Sequence, residues 1–348
     1  MITFDDPPAY DELLEELELK PSAVENLLEA EAFSARQLRR ARAGLANIGS
    51  RGGLSTDVAA AGFTAFAVGS LGRGEASEAS DLDLAFIYDE ARLSAADAAR
   101  VREQMLMRLR PEFDVPEKTF DAAVELGQLM RNVGGRGDTN LTLTYRALLL
   151  TEGAWLFDSV TARETKRRLF SVYAQGRTSR GRFLNSLAND LHRYYRTLCV
   201  DYRFKVEEDS KSWAIRVLKL RHARKLWHLA NLATQCWAVE CLPDDARDET
   251  VAARLDWPPL KRLVLAMREL GGAQSCAGLF RAQDRFLSAI SSDLVREELE
   301  SLHHADRYES ALFRSLHYNA EQLDESAAEV VRQLMERCGP YLIRYCLL

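Results

Sequence analysis

The chain has 348 residues, of which 47% are apolar and 28% charged, and a formal net charge of −6. These values are ordinary for a globular protein long enough for two domains. No run of about 18 apolar residues is present, and the acidic N-terminus lacks the basic and apolar regions of a signal peptide. We therefore expect a cytoplasmic protein without a membrane partner. The six Cys form no Cys-x-x-Cys pair, so buried free thiols are expected.

The first segment, residues 1–53, predicts an N-terminal helical arm. Apolar residues recur at helical spacing over 9–47, with a break at Pro21 and Ser22. Residues 50–53 contain two glycines and read as a loop that ends the arm.

The second segment, residues 54–160, mixes strand and helix patterns. The predicted elements are strands at 64–68, 82–88 and 113–120 and helices at 94–108 and 122–131. Ser94 is suited to cap its helix. Pro116 interrupts the third strand, which favours an edge strand or a bulge there.

A Gly-Ser pair and an Asp-x-Asp pair lie ten residues apart, next to the first two strands. Side chains alternate along a strand, so Asp81 and Asp83 are expected on the same face. Two adjacent carboxylates beside a buried strand repel each other and are costly to desolvate unless a cation lies between them. Mg²⁺ is the natural ion, because it is held by one or two carboxylates together with substrate phosphates. The pair therefore predicts a metal site.

The residues before this pair have the chemistry of a phosphate-binding turn. Gly69 permits unusual backbone angles and close approach of a phosphate. The Ser70 hydroxyl can donate to phosphate oxygens, and Arg73 can add a charge-assisted contact. If residues 71–79 begin as a helix, their backbone N–H groups add further donors. No Gly-Lys-Ser/Thr sequence is present, so the segment is not a Walker A loop.

Residues 66–88 resemble the signature of the DNA polymerase β-like nucleotidyltransferase superfamily, and are most similar to its branch near the PII uridylyltransferases. The matching residues are Gly-Ser-Leu-Gly-Arg-Gly-Glu followed by Ser-Asp-Leu-Asp-Leu. The likeness is strong over 60–150 and weaker over 185–230. It implies an α+β fold, with a small mixed sheet and helices at 54–160, the N-terminal arm, and a C-terminal helical bundle at 161–348.

The same resemblance implies a Mg²⁺- or Mn²⁺-dependent enzyme. It would transfer a nucleoside monophosphate from an NTP to an acceptor hydroxyl and release pyrophosphate. The acceptor stays open between a protein side chain, an RNA 3′ end, a small molecule and a second nucleotide. Asp81 and Asp83 would hold the metal and act in catalysis, and Gly69, Ser70 and Arg73 would bind the nucleotide.

The superfamily also implies a third carboxylate on a neighbouring strand, which serves as a base or helps to hold a metal. Asp114 is the best positional candidate, and Glu117 and Asp121 are alternatives. For each of the three, a surface position without catalytic function is an equally good interpretation.

Residues 161–230 form a basic block, with 17 Lys and Arg against 6 Asp and Glu. A local charge of +11 indicates either a polyanion ligand or a solvated helix face. We favour the triphosphate over RNA, and expect no DNA partner, because the rest of the chain carries −17 and would repel a long polyanion. The resemblance implies that a helix of this region supplies cations to the triphosphate, with Lys219 and then Arg224 as candidates.

Two other functions fit parts of the sequence. The protein could be a nucleotide-binding regulatory module that has lost the third carboxylate. It could also be a helical ribonuclease or toxin–antitoxin component, because Arg221, His222 and His228 fit the loose Arg-x(4–6)-His pattern of HEPN-type ribonucleases.

Overall fold

A computed structural model describes residues 7–46, 48, 62–116, 122–174, 184–207 and 212–347. Over these ranges the chain is α+β, as the sequence predicts, with a four-stranded mixed sheet and many helices. It divides into two compact units. The sheet unit is Glu31–Gln175, and the helical unit combines Met1–Ala30 with Gly176–Leu348. The division of the sequence at residues 53 and 160 stays a prediction.

The N-terminal part contains two helices, α1 (Tyr10–Glu16) and α2 (Glu25–Leu45), with a short 3₁₀ turn at Pro21–Ala23 between them. Pro21 begins this turn, because its fixed φ and missing N–H suit the start of a helical turn but not its interior. The break expected at this proline is therefore confirmed.

The sheet unit continues after α2 with short strands and helices. In chain order these are β1 (Phe63–Ala67), α3 (Gly69–Gly72), β2 (Leu84–Tyr88), α4 (Ala95–Leu109), β3 (Ala123–Glu125), α5 (Leu126–Met130), α6 (Asn140–Thr151), β4 (Ala154–Phe157) and α7 (Ser159–Ala174).

The sheet has the strand order β3-β2-β1-β4. Strand β1 pairs antiparallel with both β2 and β4, and β2 pairs parallel with β3. Every residue of β1 and β2 is buried, which is why both strands read as continuous apolar runs. Phe63 and Phe86 pack in one apolar core with Val101 and Met105 of α4, and this core fixes the two strands that lead to the motif.

Three local predictions for this unit can be compared with the structure. The helix after β2 is confirmed, and the Ser94 side chain accepts the Asp97 N–H as its cap. The third strand is not at 113–116, the described part of the predicted strand, but at Ala123–Glu125, where a helix was predicted. The helix expected to begin within 71–79 is instead α3, which begins at Gly69 and has only four residues, because Gly74 follows with φ +73° and turns the backbone away from helical geometry.

The helical unit contains eight further helices in its described residues. They are α8 (Asn185–Glu207), α9 (Trp213–Lys219), α10 (Lys225–Cys241), α11 (Arg247–Leu255), α12 (Pro259–Glu269), α13 (Ala277–Ile290), α14 (Asp293–Ser301) and α15 (Ala311–Leu342). A π-helical segment, Leu220–Arg224, joins α9 to α10, and another, Ile343–Leu347, follows α15.

Helix α10 lies at the centre of this unit, because twelve of its residues are buried. Trp227 and Trp237 are fully buried there, and the Arg262 guanidinium of α12 donates to Asn231 at 2.8 Å. In the part of the chain that the structure describes, no helix is long and apolar enough to cross a membrane.

Candidate functional site

The Gly-Ser pair and the Asp-x-Asp pair come together at one edge of the sheet, through the pairing of β1 with β2. The last paired residues are Ala67 and Leu84, and the Val68 N–H then donates to the Asp83 carbonyl at 3.0 Å. The segment after β1 therefore lies beside the segment before β2. Two motifs separated by ten residues in sequence become neighbours because an antiparallel pair brings its strand ends together.

Gly69 and the Asp83 side chain lie side by side at this edge. Gly69 has φ +72°, a backbone conformation that residues with a Cβ rarely adopt. A Cβ built on Gly69 would lie 2.8 Å from Asp83 Oδ2. The absence of a side chain at this position lets the Asp83 carboxylate lie against the backbone of the turn.

The Asp-Leu-Asp segment lies just before β2 and not within it, and the burial of its side chains alternates as the sequence predicts. Leu82 is buried, whereas Asp81 is exposed and Asp83 half-buried. The buried leucine anchors the segment and directs both carboxylates away from the core.

Asp114 lies next to this segment through its backbone. Its carbonyl accepts the Leu82 N–H at 2.7 Å, and its side chain is exposed. The structure thus brings Asp114 close to the Asp-x-Asp pair, although residues 113–116 are not a strand. The alternatives Glu117 and Asp121 lie outside the described residues, so the identity of the third carboxylate stays a prediction.

The Ser70 side chain is the available donor of the turn. Ser70 is half-buried, and within the described ranges its hydroxyl has no hydrogen-bond partner. Its carbonyl accepts the Glu75 N–H at 2.8 Å, and the Arg73 N–H closes the turn on the Gly69 carbonyl at 3.1 Å. The backbone is therefore held from within while the hydroxyl stays free to bind a ligand.

Arg73, a predicted phosphate contact, is buried in an ion-pair network. Its Nε donates to Glu75 at 2.7 Å and its Nη1 donates to Glu152 at 2.7 Å, and the Arg73 side chain is only 6% exposed. Burial by itself would lower the pKa of Arg73, but the two carboxylates outweigh burial and raise that pKa. The two carboxylates engage Nε and Nη1, so a phosphate contact that keeps both ion pairs would have to come from Nη2.

Glu152 is a residue that sequence reasoning missed. It ends α6 as the capping residue, its side chain is fully buried, and its Oε1 accepts the Gly69 N–H at 3.3 Å. A single charged residue that follows the apolar stretch 147–150 is the only signal that the sequence offers for it.

The two predicted cations of the basic block belong to the helical unit. Lys219 is exposed at the last residue of α9, and Arg224 is half-buried at the end of the π-helical segment. Both residues make interactions of their own. Their nucleotide-binding role stays a prediction.

The HEPN-like pattern pairs Arg221 with His228, and the adjacent His222 is part of the core. His222 is fully buried, its Nδ1 lies 2.8 Å from the Leu218 carbonyl, and its Nε2 lies 3.1 Å from the Asn319 amide nitrogen. Its ring also stacks on Phe286 at 4.5 Å. Burial lowers the pKa of His222 to about 4, so the imidazole is neutral at pH 7. His228 is half-buried and its ring stacks on Tyr195 at 4.3 Å, and burial lowers the pKa of His228 to about 3. The ribonuclease interpretation stays a prediction.

Asp81 and Asp83 offer carboxylate oxygens, the protein ligands that Mg²⁺ prefers. Across the described residues, no group of three or more His, Cys, Asp or Glu side chains is placed to hold a metal ion. Two neighbouring carboxylates still fit Mg²⁺, because this ion keeps several waters and takes its remaining ligands from substrate phosphates. The residues present therefore suit a metal that arrives with a nucleotide.

Comparison of the chain with protein-family models found no matching family. A search of curated proteins found no matching relative either.

Proposed function

We propose that the sheet unit is a metal-dependent nucleotidyltransferase, which transfers a nucleoside monophosphate from an NTP to an acceptor hydroxyl. The observation that carries this proposal is the position of Asp83 Oδ2, which lies 2.8 Å from where a Cβ on Gly69 would be. It places a carboxylate directly beside a turn whose Ser70 hydroxyl is unpartnered in the described residues. The resemblance of residues 66–88 to polymerase β-like nucleotidyltransferases supports the same function.

Asp81 and Asp83 are the residues that would hold a divalent cation, since carboxylate oxygens are its preferred protein ligands. When bound there, Mg²⁺ or Mn²⁺ would neutralise charge on the phosphates and polarise the reacting phosphoryl group. The Ser70 hydroxyl would donate a hydrogen bond to a phosphate oxygen beside the two carboxylates. Gly69 would leave room for that phosphate, because a side chain there would occupy the space beside Asp83.

In the proposed reaction the acceptor oxygen forms a bond to the α-phosphorus. The bond from that phosphorus to the bridging oxygen of the leaving pyrophosphate breaks, and the pyrophosphate takes the electron pair. The acceptor proton passes to a carboxylate base. Asp114 is the proposed base because it is exposed and its backbone is fixed to Leu82, between the two metal-binding aspartates.

A nucleotide-binding module without catalysis is the second candidate. It is favoured by one observation: residues 113–116 are not a strand, whereas the superfamily resemblance implies a third carboxylate on a neighbouring strand. A pair of carboxylates is enough to bind a metal–nucleotide complex, whereas transfer also requires removal of the acceptor proton. The two candidates differ in turnover and not in binding.

The deciding experiment is incubation of the protein with each of the four α-³²P-labelled NTPs in the presence of Mg²⁺ or Mn²⁺. An enzyme transfers the label and releases pyrophosphate, whereas a binding module retains unchanged NTP. Labelling of a cell lysate then identifies the acceptor class as protein, RNA or small molecule. If NTP neither binds nor reacts under any of these conditions, both candidates are excluded.

The matched control is the double variant Asp81→Asn/Asp83→Asn. It keeps the size of both side chains and removes both charges, so the label transfer should disappear while the fold remains. Label transfer by the double variant at the wild-type rate would locate the active site elsewhere.

A further inference from the structure

The pairing of β1 with β4 brings Glu152 to the Gly-Ser turn. Ala67 pairs with Ala154 and Phe66 with Trp155, and the same antiparallel register, continued by two residues, puts Gly69 opposite Glu152. One carboxylate oxygen of Glu152 accepts the Gly69 N–H at 3.3 Å. The other accepts a hydrogen bond from Arg73 at 2.7 Å. One buried carboxylate thus holds both ends of the turn.

The backbone at Gly72 packs closely against the backbone at Glu152. A Cβ built on Gly72 would lie 1.8 Å from the Glu152 carbonyl oxygen. The next carbonyl, that of Gly153, accepts a hydrogen bond from the buried Lys166 ammonium of α7. Glu152 is therefore fixed through its own backbone before its side chain binds the turn.

The positive charge of Arg73 compensates two buried carboxylates, which favours its present position. Arg73 is the cation shared by the buried carboxylates of Glu75 and Glu152. Removing one partner of a buried ion pair is strongly destabilising, because it leaves an uncompensated charge in the interior. Arg73 is thus better suited to fix the turn than to move toward a phosphate.

We propose that Glu152 and Arg73 are positioning residues, which hold the turn from Gly69 to Arg73 in the conformation that presents the Ser70 hydroxyl beside Asp83. They act through the backbone and do not contact the nucleotide. The part of this inference that concerns nucleotide affinity rests on the proposed function, whereas the part that concerns the turn does not.

We call Glu152 and Arg73 together the clamp. Hydrogen–deuterium exchange of the ligand-free protein, read by mass spectrometry on peptides that cover residues 66–76, tests directly whether the clamp holds the turn. In the wild type the Gly69 amide should exchange as slowly as the amides of β1. The variants Glu152→Gln and Arg73→Lys should speed exchange over 69–74 at least tenfold. Glu152→Gln keeps the shape of the side chain and one acceptor oxygen, so it isolates the loss of charge.

The matched control is Asp138→Asn, which weakens a comparable buried ion pair in the same unit. Arg146 binds Asp138 with both Nη atoms, at 2.8 and 2.9 Å, and both side chains are 1% exposed. This substitution should lower the melting temperature as much as Glu152→Gln but leave exchange over 69–74 unchanged. If the amides of 69–74 exchange at the same rate in Glu152→Gln, Arg73→Lys and Asp138→Asn, the ion pair of Glu152 with Arg73 stabilises the unit in general and does not specifically hold the turn.

A second readout connects the clamp to the site. Calorimetric titration with each Mg²⁺–NTP should show at least tenfold weaker binding for Glu152→Gln and Arg73→Lys, and wild-type binding for Asp138→Asn. Fast exchange of the Gly69 amide in the wild type, or unchanged exchange over 69–74 in both clamp variants, overturns the inference. A wild type that binds no NTP contradicts the proposed function instead, and the exchange experiment still decides the clamp.

Discussion

Asp83 Oδ2 lies 2.8 Å from the position that a Cβ on Gly69 would occupy, so the carboxylate fills the space left by the missing side chain. This contact joins the end of β1 to the start of β2, and it makes the glycine and the aspartate a single structural feature. Substitutions of Gly69 and of Asp83 therefore test the same site.

Gly69→Ala should weaken NTP binding and destabilise the sheet unit. The substitution imposes φ +72° on a residue with a Cβ, at a cost of about 1–2 kcal/mol, and it pushes Asp83 away from the turn. Chemical denaturation of the ligand-free protein and calorimetric titration with NTP measure the two effects separately.

Ser70→Ala is the companion variant, because it removes only the hydroxyl. We expect unchanged stability and about tenfold weaker NTP binding, which corresponds to the loss of one hydrogen bond to a charged group at about 1.5 kcal/mol. NTP affinity equal to that of the wild type in both variants would contradict a phosphate-binding role for the turn.

Replacement of the two aspartates that would bind the metal should separate activity from stability. Asp81→Asn/Asp83→Asn removes two neighbouring like charges, so the free energy of unfolding should stay equal or rise. Metal-dependent NTP turnover should fall below detection. Parallel measurements of turnover and of urea denaturation check both statements, and a large loss of stability would mean that the carboxylates serve the fold.

Asp114→Asn should lower the rate of transfer with little effect on NTP binding. The hydrogen bond that ties this residue to Leu82 comes from its backbone carbonyl, so the substitution removes the carboxylate without releasing the Asp-Leu-Asp segment. Steady-state kinetics should give a reduced kcat with KM for NTP unchanged. Glu117→Gln and Asp121→Asn are the controls. A loss of kcat in one of them but not in Asp114→Asn would assign the role of carboxylate base to that residue instead of Asp114.

Gly72→Ala should be among the most destabilising substitutions in the sheet unit. The new methyl group would meet the Glu152 carbonyl oxygen at 1.8 Å, and backbone cannot move aside as a flexible side chain can. We expect a loss of about 3 kcal/mol or more, as for severe overpacking. Gly44→Ala is the matched control in α2. Among the described residues, no atom outside its chain neighbours and its own helix backbone lies within 4 Å of the added Cβ, and the substitution should stabilise by about 0.5–1 kcal/mol.

The parts of the fold that could be predicted from the sequence are those with local signals. The buried strands β1 and β2 are continuous apolar runs, and the helix after β2 begins with a serine that accepts a nearby backbone N–H. Strand β3 has only three residues, and its pairing with β2 is a long-range contact that no local pattern encodes. It could therefore be mistaken for the start of a helix.

The same distinction applies to the candidate site. The turn and the two aspartates lie within fifteen residues of one another, so their spacing alone predicts them. Glu152 reaches Gly69 only because of the register between β1 and β4, across 83 residues. The sequence predicts Arg73 as a charge-assisted phosphate contact, because it does not reveal that two buried carboxylates bind this side chain.

The buried histidine of the helical unit should make that unit less stable in acid. Burial, and then the nearby Arg221 and Lys225 charges, lower the pKa of His222 to about 4, while the Leu218 carbonyl and Asp324 act in the opposite direction. In the unfolded chain a histidine titrates near 6.5. Between these values the unfolded state binds more protons, so the stabilisation is complete above about pH 6.5 and is lost as the pH falls toward 4.

We expect His222 alone to reduce the free energy of unfolding by about 2 kcal/mol between pH 7.5 and pH 5. Tryptophan fluorescence during urea denaturation is a suitable probe, because four of the five Trp lie in the helical unit. His222→Gln should flatten the pH dependence of stability whatever it does to stability at pH 7.5. His303→Gln, at an exposed position, should leave the slope unchanged. If the free energy of unfolding of His222→Gln depends on pH as steeply as that of the wild type, other groups cause the acid sensitivity.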